Sequence, residues 1–142
     1  MTFEYLLDTN IISALAREPR GVIAQRLAEV GDDAVCSSII VASEVRYGLA
    51  KRGSRRLSQQ VEAILASLDL LPFEAPADRY YADLRHDLQR KGTPIGPNDM
   101  LIAAQALSLG LVVVTANMHE FSRVEGLGVE NWLEIGREPS DA

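Results

Sequence analysis

Two rhythms of hydrophobic and polar positions alternate along this chain. The first apolar run, residues 3–7, closes on Tyr5-Leu6-Leu7 and passes directly into Asp8, Thr9 and Asn10. A strand is expected there, with a short helix over residues 10–16 and another opened by Pro19 and running to about Val30. "DAVCS", residues 33–37, reads as a second strand, followed by a helix over 39–50. A longer helix is expected over 54–68, where Leu57, Val61, Ile64, Leu65 and Leu68 recur at helical spacing. Residues 70–73 read as a third strand, with Pro72 and Pro76 stopping it. An amphipathic helix over 77–90 sets Tyr81, Leu84 and Leu88 on one side.

"KGTPIGPN", residues 91–98, is dense in turn residues and reads as a loop. The helix expected over 99–109 is apolar almost all round and therefore buried, and Gly110 separates it from "LVVVT", a β-branched strand at 111–115. A turn of helix near 118–121 and a last strand near 128–130 complete the pattern. About five short apolar strands alternating with helices predict an α/β fold. The expected form is a three-layer α/β/α sandwich around a mostly parallel sheet. No repeat, low-complexity tract or linker divides the chain, so one domain is expected over 1–134, with "REPSDA" inside a short tail at 135–142.

Parallel sheets of this kind bind ligands beyond the carboxyl ends of their strands, and several acids fall there. Asp8 directly follows the first strand; its plainer role is a helix cap or Asx turn. Glu44 shares a helix face with Ile40, Val41 and Gly48, and no base stands three or four residues away to neutralise it. The plainer reading is a half-exposed acid at the edge of an apolar stripe. Asp99 opens the buried helix on the face of Ile102, Ala103 and Ala106; acids also favour a first helical turn for electrostatic reasons, and Asn98 is a good cap. Thr115, Asn117 and Glu120 lie at the end of the fourth strand, where polar residues are ordinary.

Three acids, and Glu120 with them, thus converge on one rim of the expected sheet. Two carboxylates about 5 Å apart repel by roughly 3 kcal/mol at an effective dielectric near 20. A small domain stable by only about 5–15 kcal/mol keeps such groups together only if some are protonated or a cation lies among them. Oxygen donors without Cys or paired His favour a hard ion, Mg2+ with Mn2+ as substitute. His86 and His119 lack partners at zinc-ligand spacing. Carboxylate-held Mg2+ suits attack on a phosphodiester. No Gly-rich phosphate loop points to a nucleotide-triphosphate motor.

Composition bounds the reading. Of 142 residues, 47% are hydrophobic and 24% charged, as in a globular domain with a real core. No apolar run is long enough to span a membrane and the start lacks a signal-peptide pattern, so a cytoplasmic protein is expected. The one cysteine, Cys36, sits among apolar residues as a packed thiol in a reducing compartment. Net charge is −6, which disfavours general nucleic-acid coating. Between Glu44 and Arg56, however, Arg46, Lys51, Arg52, Arg55 and Arg56 stand against one acid. This is either a local phosphate-contacting patch or a solvated helix end.

"YLLDTNIIS", "SSIIVASEVRYGLAK", "GTPIGPNDMLIAAQAL" and "LVVVTANMHEFSRVEGLGVENW" together resemble the PIN-domain family, most of all the VapC toxins of bacterial type II toxin–antitoxin pairs. The resemblance runs from Leu6 to Trp132. It implies a metal-dependent endoribonuclease in which Asp8, Glu44 and Asp99 match the three acidic metal positions. Glu120 stands at the fourth, where many relatives carry Asp. It also implies Thr9, Asn10, Thr115 and Asn117 as supporting polar residues, homodimers, and inhibition by a small VapB-type antitoxin. Toxins of this kind commonly cut tRNA or ribosomal RNA, and the "GTPIGP" and "FSRVEGL" segments look closest to members that cut initiator tRNA. The expected reaction is hydrolysis leaving a 5′-phosphate and a 3′-hydroxyl, with Asp8 and Asp99 holding the main ion and Glu44 and Glu120 completing that site or a weaker second one. Two other classes fit the acids: a catalytically silent binding or regulatory module, and a nuclease for DNA or a phosphatase of similar architecture.

Overall fold

The structure, a computed structural model, describes residues 2–134. Its central sheet has five parallel strands in the order β3-β2-β1-β4-β5, where β1 is Tyr5–Leu7, β2 Val35–Ser38, β3 Leu70–Leu71, β4 Val112–Val114 and β5 Val129–Glu130. The helices are α1 (Thr9–Arg17), α2 (Val22–Val30), α3 (Ile39–Arg52), α4 (Arg55–Ser67), α5 (Ala77–Arg90), α6 (Pro97–Leu109) and α7 (Met118–Phe121). Helix α1 packs on α2, α3 and α4, while α5 lies along α6, giving a three-layer α/β/α domain. Among the described residues no helix is long and apolar enough to cross a membrane. The tail expected at 135–142 lies outside them.

The central strands are apolar because both faces are covered. Leu6, Leu7, Val113 and Val114 are fully buried, and Leu7 pairs with Val114 in register. Ile102, Ala103, Ala104 and Ala106 of α6 are equally buried, as the all-round apolar pattern requires. Trp132 closes the far edge, its ring edge-on to Tyr5 and its indole N–H donating to Glu130 Oε1. Cys36 is buried and unpaired, and desolvation pushes its thiol up to about 12, away from the thiolate form.

Several boundaries move. Pro19 does not start the second helix; Pro19 and Arg20 form a turn and α2 begins at Val22. Asp32–Ala34 form a single 3-10 turn, so β2 starts at Val35 and gains Ser38. Helix α6 begins at Pro97 with Gly96 as N-cap, not at Asp99 with Asn98 as cap, because proline's fixed φ and missing N–H suit the first helical position. The apolar faces of α4 and α5, which could equally have served an interface, are largely spent in the core. Val61, Leu65, Leu84 and Leu88 are buried, with Leu57, Ile64, Leu68 and Tyr81 packed against them.

Chain order fixes where a site forms. The chain winds from β1 outward through β2 to β3, then crosses back to place β4 on the other side of β1. The switch point therefore lies between the carboxyl ends of β1 and β4, where a crevice opens. The Asp8 N–H donates to the Val114 carbonyl at 2.9 Å there, stitching the two ends together. The long apolar face of α6 presents its own N-terminus to the same crevice. Replacing Ile102 with alanine should cost about 2–5 kcal/mol. Urea denaturation should read this as a lower midpoint at unchanged m-value; a loss below about 1 kcal/mol would show that α6 is not anchored through this residue.

Candidate metal centre

Asp8 caps α1 by position only. Its backbone enters the helix in an extended conformation, yet its carboxylate makes no capping hydrogen bond. The side chain turns into the crevice, 3% exposed. Glu44 reaches it from the middle of α3 and Asp99 from the first turn of α6. One carboxylate oxygen from each of Asp8, Glu44 and Asp99 lies within 4.8 Å of the others. Opposed ligands around an ion held at 2.0–2.1 Å stand about 4.2 Å apart, so the three oxygens would draw in by at most about half an ångström to share one hard divalent ion. No nitrogen or sulfur donor joins them in this cluster, which matches the chemistry of Mg2+ or Mn2+ and not of zinc.

Hydroxyls and amides hold these oxygens in place. The Thr115 hydroxyl is fully buried and donates to Asp8 Oδ2 at 2.8 Å. It accepts from the Asn117 N–H at 2.9 Å and sits 3.4 Å from Asn10 Nδ2, which fills its bonding capacity. Asn10 is itself oriented by the Ala116 N–H, which donates to its Oδ1 at 2.8 Å. Thr9 Oγ1 lies 3.1 Å from Glu44 Oε1 and 3.4 Å from Asp8 Oδ1, so one hydroxyl spans two acids. All four supporting residues expected from the sequence thus meet at the centre.

Glu120 is not one of the three clustered acids. It joins through a hydrogen bond with Asp99 and is steadied by Asn117 Nδ2 at 2.9 Å. The Gly96 N–H and the positive charge of Arg123 also favour its ionised form. Arg123 in turn donates to the Pro94 carbonyl at 2.8 Å, tying this segment to the "TPIGP" loop. A Cβ at Gly96 would stand 3.4 Å from Asp99 Oδ2, so glycine leaves the acid its room.

Asn98 was missed as a site residue. Its Nδ2 donates to Glu44 Oε2 at 3.1 Å, completing the pair of bonds that aims Glu44 inward. The signal was present in "GPN": a proline at the first helical position puts the next side chain inside the first turn, not at the cap. Among the five bases, Arg46 is committed to a two-pronged pair with Glu62 at 2.9 and 3.0 Å. Lys51, Arg52, Arg55 and Arg56 remain exposed.

Electrostatics follow from the crowding. Burial raises the Asp8 pKa, partly opposed by the Thr115 hydroxyl. Asp99 is pushed up to about 8, first by burial, then by its bond to Glu120 and the charges of Asp8, Glu120 and Glu44. Glu120 is lowered, chiefly by accepting from Asp99. The pair therefore holds one proton on Asp99, donated to an ionised Glu120. Without an ion, this is how the centre tolerates its own charge.

Hydroxyl-braced carboxylates at the switch point of a parallel α/β/α sheet define the class: a hydrolase-type centre whose clustered acids could hold a metal ion. The chain belongs to the PIN-domain family, whose family profile matches residues 5–127. Ribonuclease VapC2 of Rickettsia felis is 35% identical over 130 residues, covering 90% of this chain and 97% of that protein. The tRNA(fMet)-specific endonuclease VapC of Salmonella typhimurium is also 35% identical over 130 residues, with 91% and 98% covered. The structure of DNA-bound VapBC from Salmonella typhimurium superposes with a TM-score of 0.82 at 34% identity, covering 92% of this chain and 99% of that one.

The proton on Asp99 has a measurable consequence. Its folded pKa of about 8 exceeds the ordinary 3.8, so the folded state binds more protons across that window. Stability of the metal-free protein should fall as pH rises from about 4 to about 8. Asp8 acts in the same direction, and the lowered Glu120 acts only below its ordinary 4.5. Thermal melts across this range in the presence of a chelator should show the decline, and Asp99→Asn should flatten it. A variant that declines as steeply as the parent would place the proton elsewhere.

Proposed function

We propose that this chain is the toxin of a type II toxin–antitoxin pair, an endoribonuclease using Mg2+ or Mn2+, and that tRNA is its substrate. The observation that carries the reading is the placement of three carboxylates within 4.8 Å at the switch point, braced by residues with no other evident role. The relatives named as ribonucleases and as a tRNA(fMet)-specific endonuclease, matched over nine-tenths of the chain, support RNA as the polymer. Solved VapBC complexes among its neighbours support a VapB-type antitoxin as protein partner. A homodimer completes the reading.

Asp8, Asp99 and Glu44 would hold the ion. Once bound, it supplies Lewis acidity, lowering the pKa of water and offsetting charge on the phosphoryl oxygens. Asp8 is already oriented by Thr115 and Asn10, at little entropic cost on loading. Asp99 must release its proton to become a full ligand, and Glu120 stands in hydrogen-bond contact to take it. Thr9 and Asn98 hold the two oxygens of Glu44 from opposite ends, so its carboxylate does not swing to solvent. Leaving a 5′-phosphate and a 3′-hydroxyl would need a proton at the departing 3′ oxygen, and a Glu120 that has taken the Asp99 proton would be its donor.

Purified protein freed of any inhibitor should cut tRNA with Mg2+ or Mn2+ and stop when the ion is chelated. DNA and a phosphomonoester should remain intact. Asp8→Asn and Asp99→Asn should each reduce cutting to background while retaining a cooperative melt; if both cut as the parent does, the site is misassigned. Mg2+ should also raise the melting temperature, more at pH 8 than at pH 6, because Asp99 must lose its proton to bind. An ion-independent melt would leave a silent binding module as the better account.

A further inference from the structure

The acidic centre poses a difficulty for its own substrate. Carboxylates that attract a divalent ion repel the phosphates of an approaching RNA, and the chain as a whole carries −6. Attraction has to come from elsewhere on the surface, within reach of the centre.

Helix α3 supplies the geometry. At about 100° per residue, Ile40, Glu44, Tyr47 and Lys51 fall within an arc of about 60° on one helix face. Glu44 points into the metal centre. One turn further along stands Tyr47, 67% exposed, more than any other large hydrophobic side chain among the described residues. Lys51 follows after another turn, its ammonium 5.2 Å from the centre of the Tyr47 ring. At 1.5 Å rise per residue, the ring's backbone lies about 4.5 Å along the axis from that of Glu44, and that of Lys51 about 10.5 Å.

Beyond Lys51 come Arg52, Arg55 and Arg56, all exposed, and none forms an ion pair among the described residues. Arg46, on another face of α3, is the base already neutralised by Glu62. A carboxylate, an exposed aromatic ring with Lys51 against it and a run of cations outside any ion pair thus follow one another along one edge of the molecule.

We propose that Tyr47 is a base-stacking platform that positions single-stranded RNA beside the metal centre, with Lys51 taking the adjoining phosphate. A tyrosine ring two-thirds exposed beside an acidic centre leaves an aromatic surface free, and every nucleobase offers a π face to stack on it. Lys51 steadies the ring through its cation–π contact and adds the charge that the acidic centre lacks. Stacking is sequence-tolerant, so the platform would fix the register of the strand and not the identity of the base. A protein partner could also cover an exposed tyrosine, but the uncompensated cations beyond it favour a polyanion.

This inference rests on the ribonuclease reading, and the experiment separates the two. Cleavage of total tRNA is measured for the parent, Tyr47→Ala, Tyr47→Phe and Tyr47→Trp, with melting temperatures recorded alongside. Tyr47→Ala should raise KM roughly 5- to 150-fold with kcat nearly unchanged, while Tyr47→Phe and Tyr47→Trp, which keep a ring, stay close to the parent. With the ion chelated, the added indole of Tyr47→Trp should be quenched by an unstructured oligoribonucleotide, against the constant background of the buried Trp132. Lys51→Ala should lower the salt dependence of that binding by about one unit of slope.

A parent that leaves RNA uncut overturns the ribonuclease reading. A parent that cuts, with Tyr47→Ala matching its KM, overturns the platform alone. The same holds if Tyr47→Ala loses self-association or antitoxin binding and keeps its KM.

Discussion

Like charges forced together at the rim of the sheet are the constraint on which the rest depends. Each pair of carboxylates at such separations costs on the order of 3 kcal/mol at an intermediate dielectric. Three oxygens within 4.8 Å, with Glu120 attached behind Asp99, would therefore strain a domain of ordinary stability. The molecule meets the strain in two ways. Hydroxyls and amides from Thr9, Asn10, Asn98 and the fully buried Thr115 point their hydrogens at the carboxylates. A retained proton on Asp99 removes one charge until an ion arrives.

Both devices depend on the fold's winding order. Because β1 is central and β4 returns to its other side, the segments after β1 and after β4 become neighbours although they stand far apart in the chain. The bond from Thr115 to Asp8 spans 107 positions and that from Asn98 to Glu44 spans 54. Helices α3 and α6 bring the other two acids because their opposite faces are buried against the same core. The centre is rigid for the ordinary reason that its supports are core elements and not free loops.

This separation along the chain explains what was legible in advance. Strands and the buried helix could be read because burial on both faces leaves continuous apolar runs, as in "LVVVT". Asp8, Glu44 and Asp99 stood out as acids whose helical neighbours are apolar, a local property. Asn98 did not, since its role is a bond to a residue 54 positions away and its local surroundings suggest a cap equally well. Glu120 was expected at the strand end and lies in α7 just beyond it, and its attachment to Asp99 depends on how close that acid comes, which no spacing encodes. The shorter α2 and the 3-10 turn at Asp32–Ala34 were missed because turn chemistry there competes with an equally plausible helical or strand pattern. The apolar stripes of α4 and α5 were ambiguous in principle: a core face and an interface face have the same composition, and only packing distinguishes them.

A centre held in this state sacrifices stability for readiness. Neutralising Asp99 relieves repulsion in the metal-free protein but removes a charge that a bound ion would draw on, so what is best for folding need not be best for function. The same logic extends outward along α3. An acidic pocket that must receive a polyanion cannot also attract it, and the helix separates the two tasks by distance: carboxylate inward at Glu44, cations outward from Lys51. A single rigid helix then fixes how far the attracting charge stands from the reacting centre, and no loop motion is needed to set that distance. Net charge alone would have argued against a nucleic-acid substrate; the arrangement of charge along one helix argues for one.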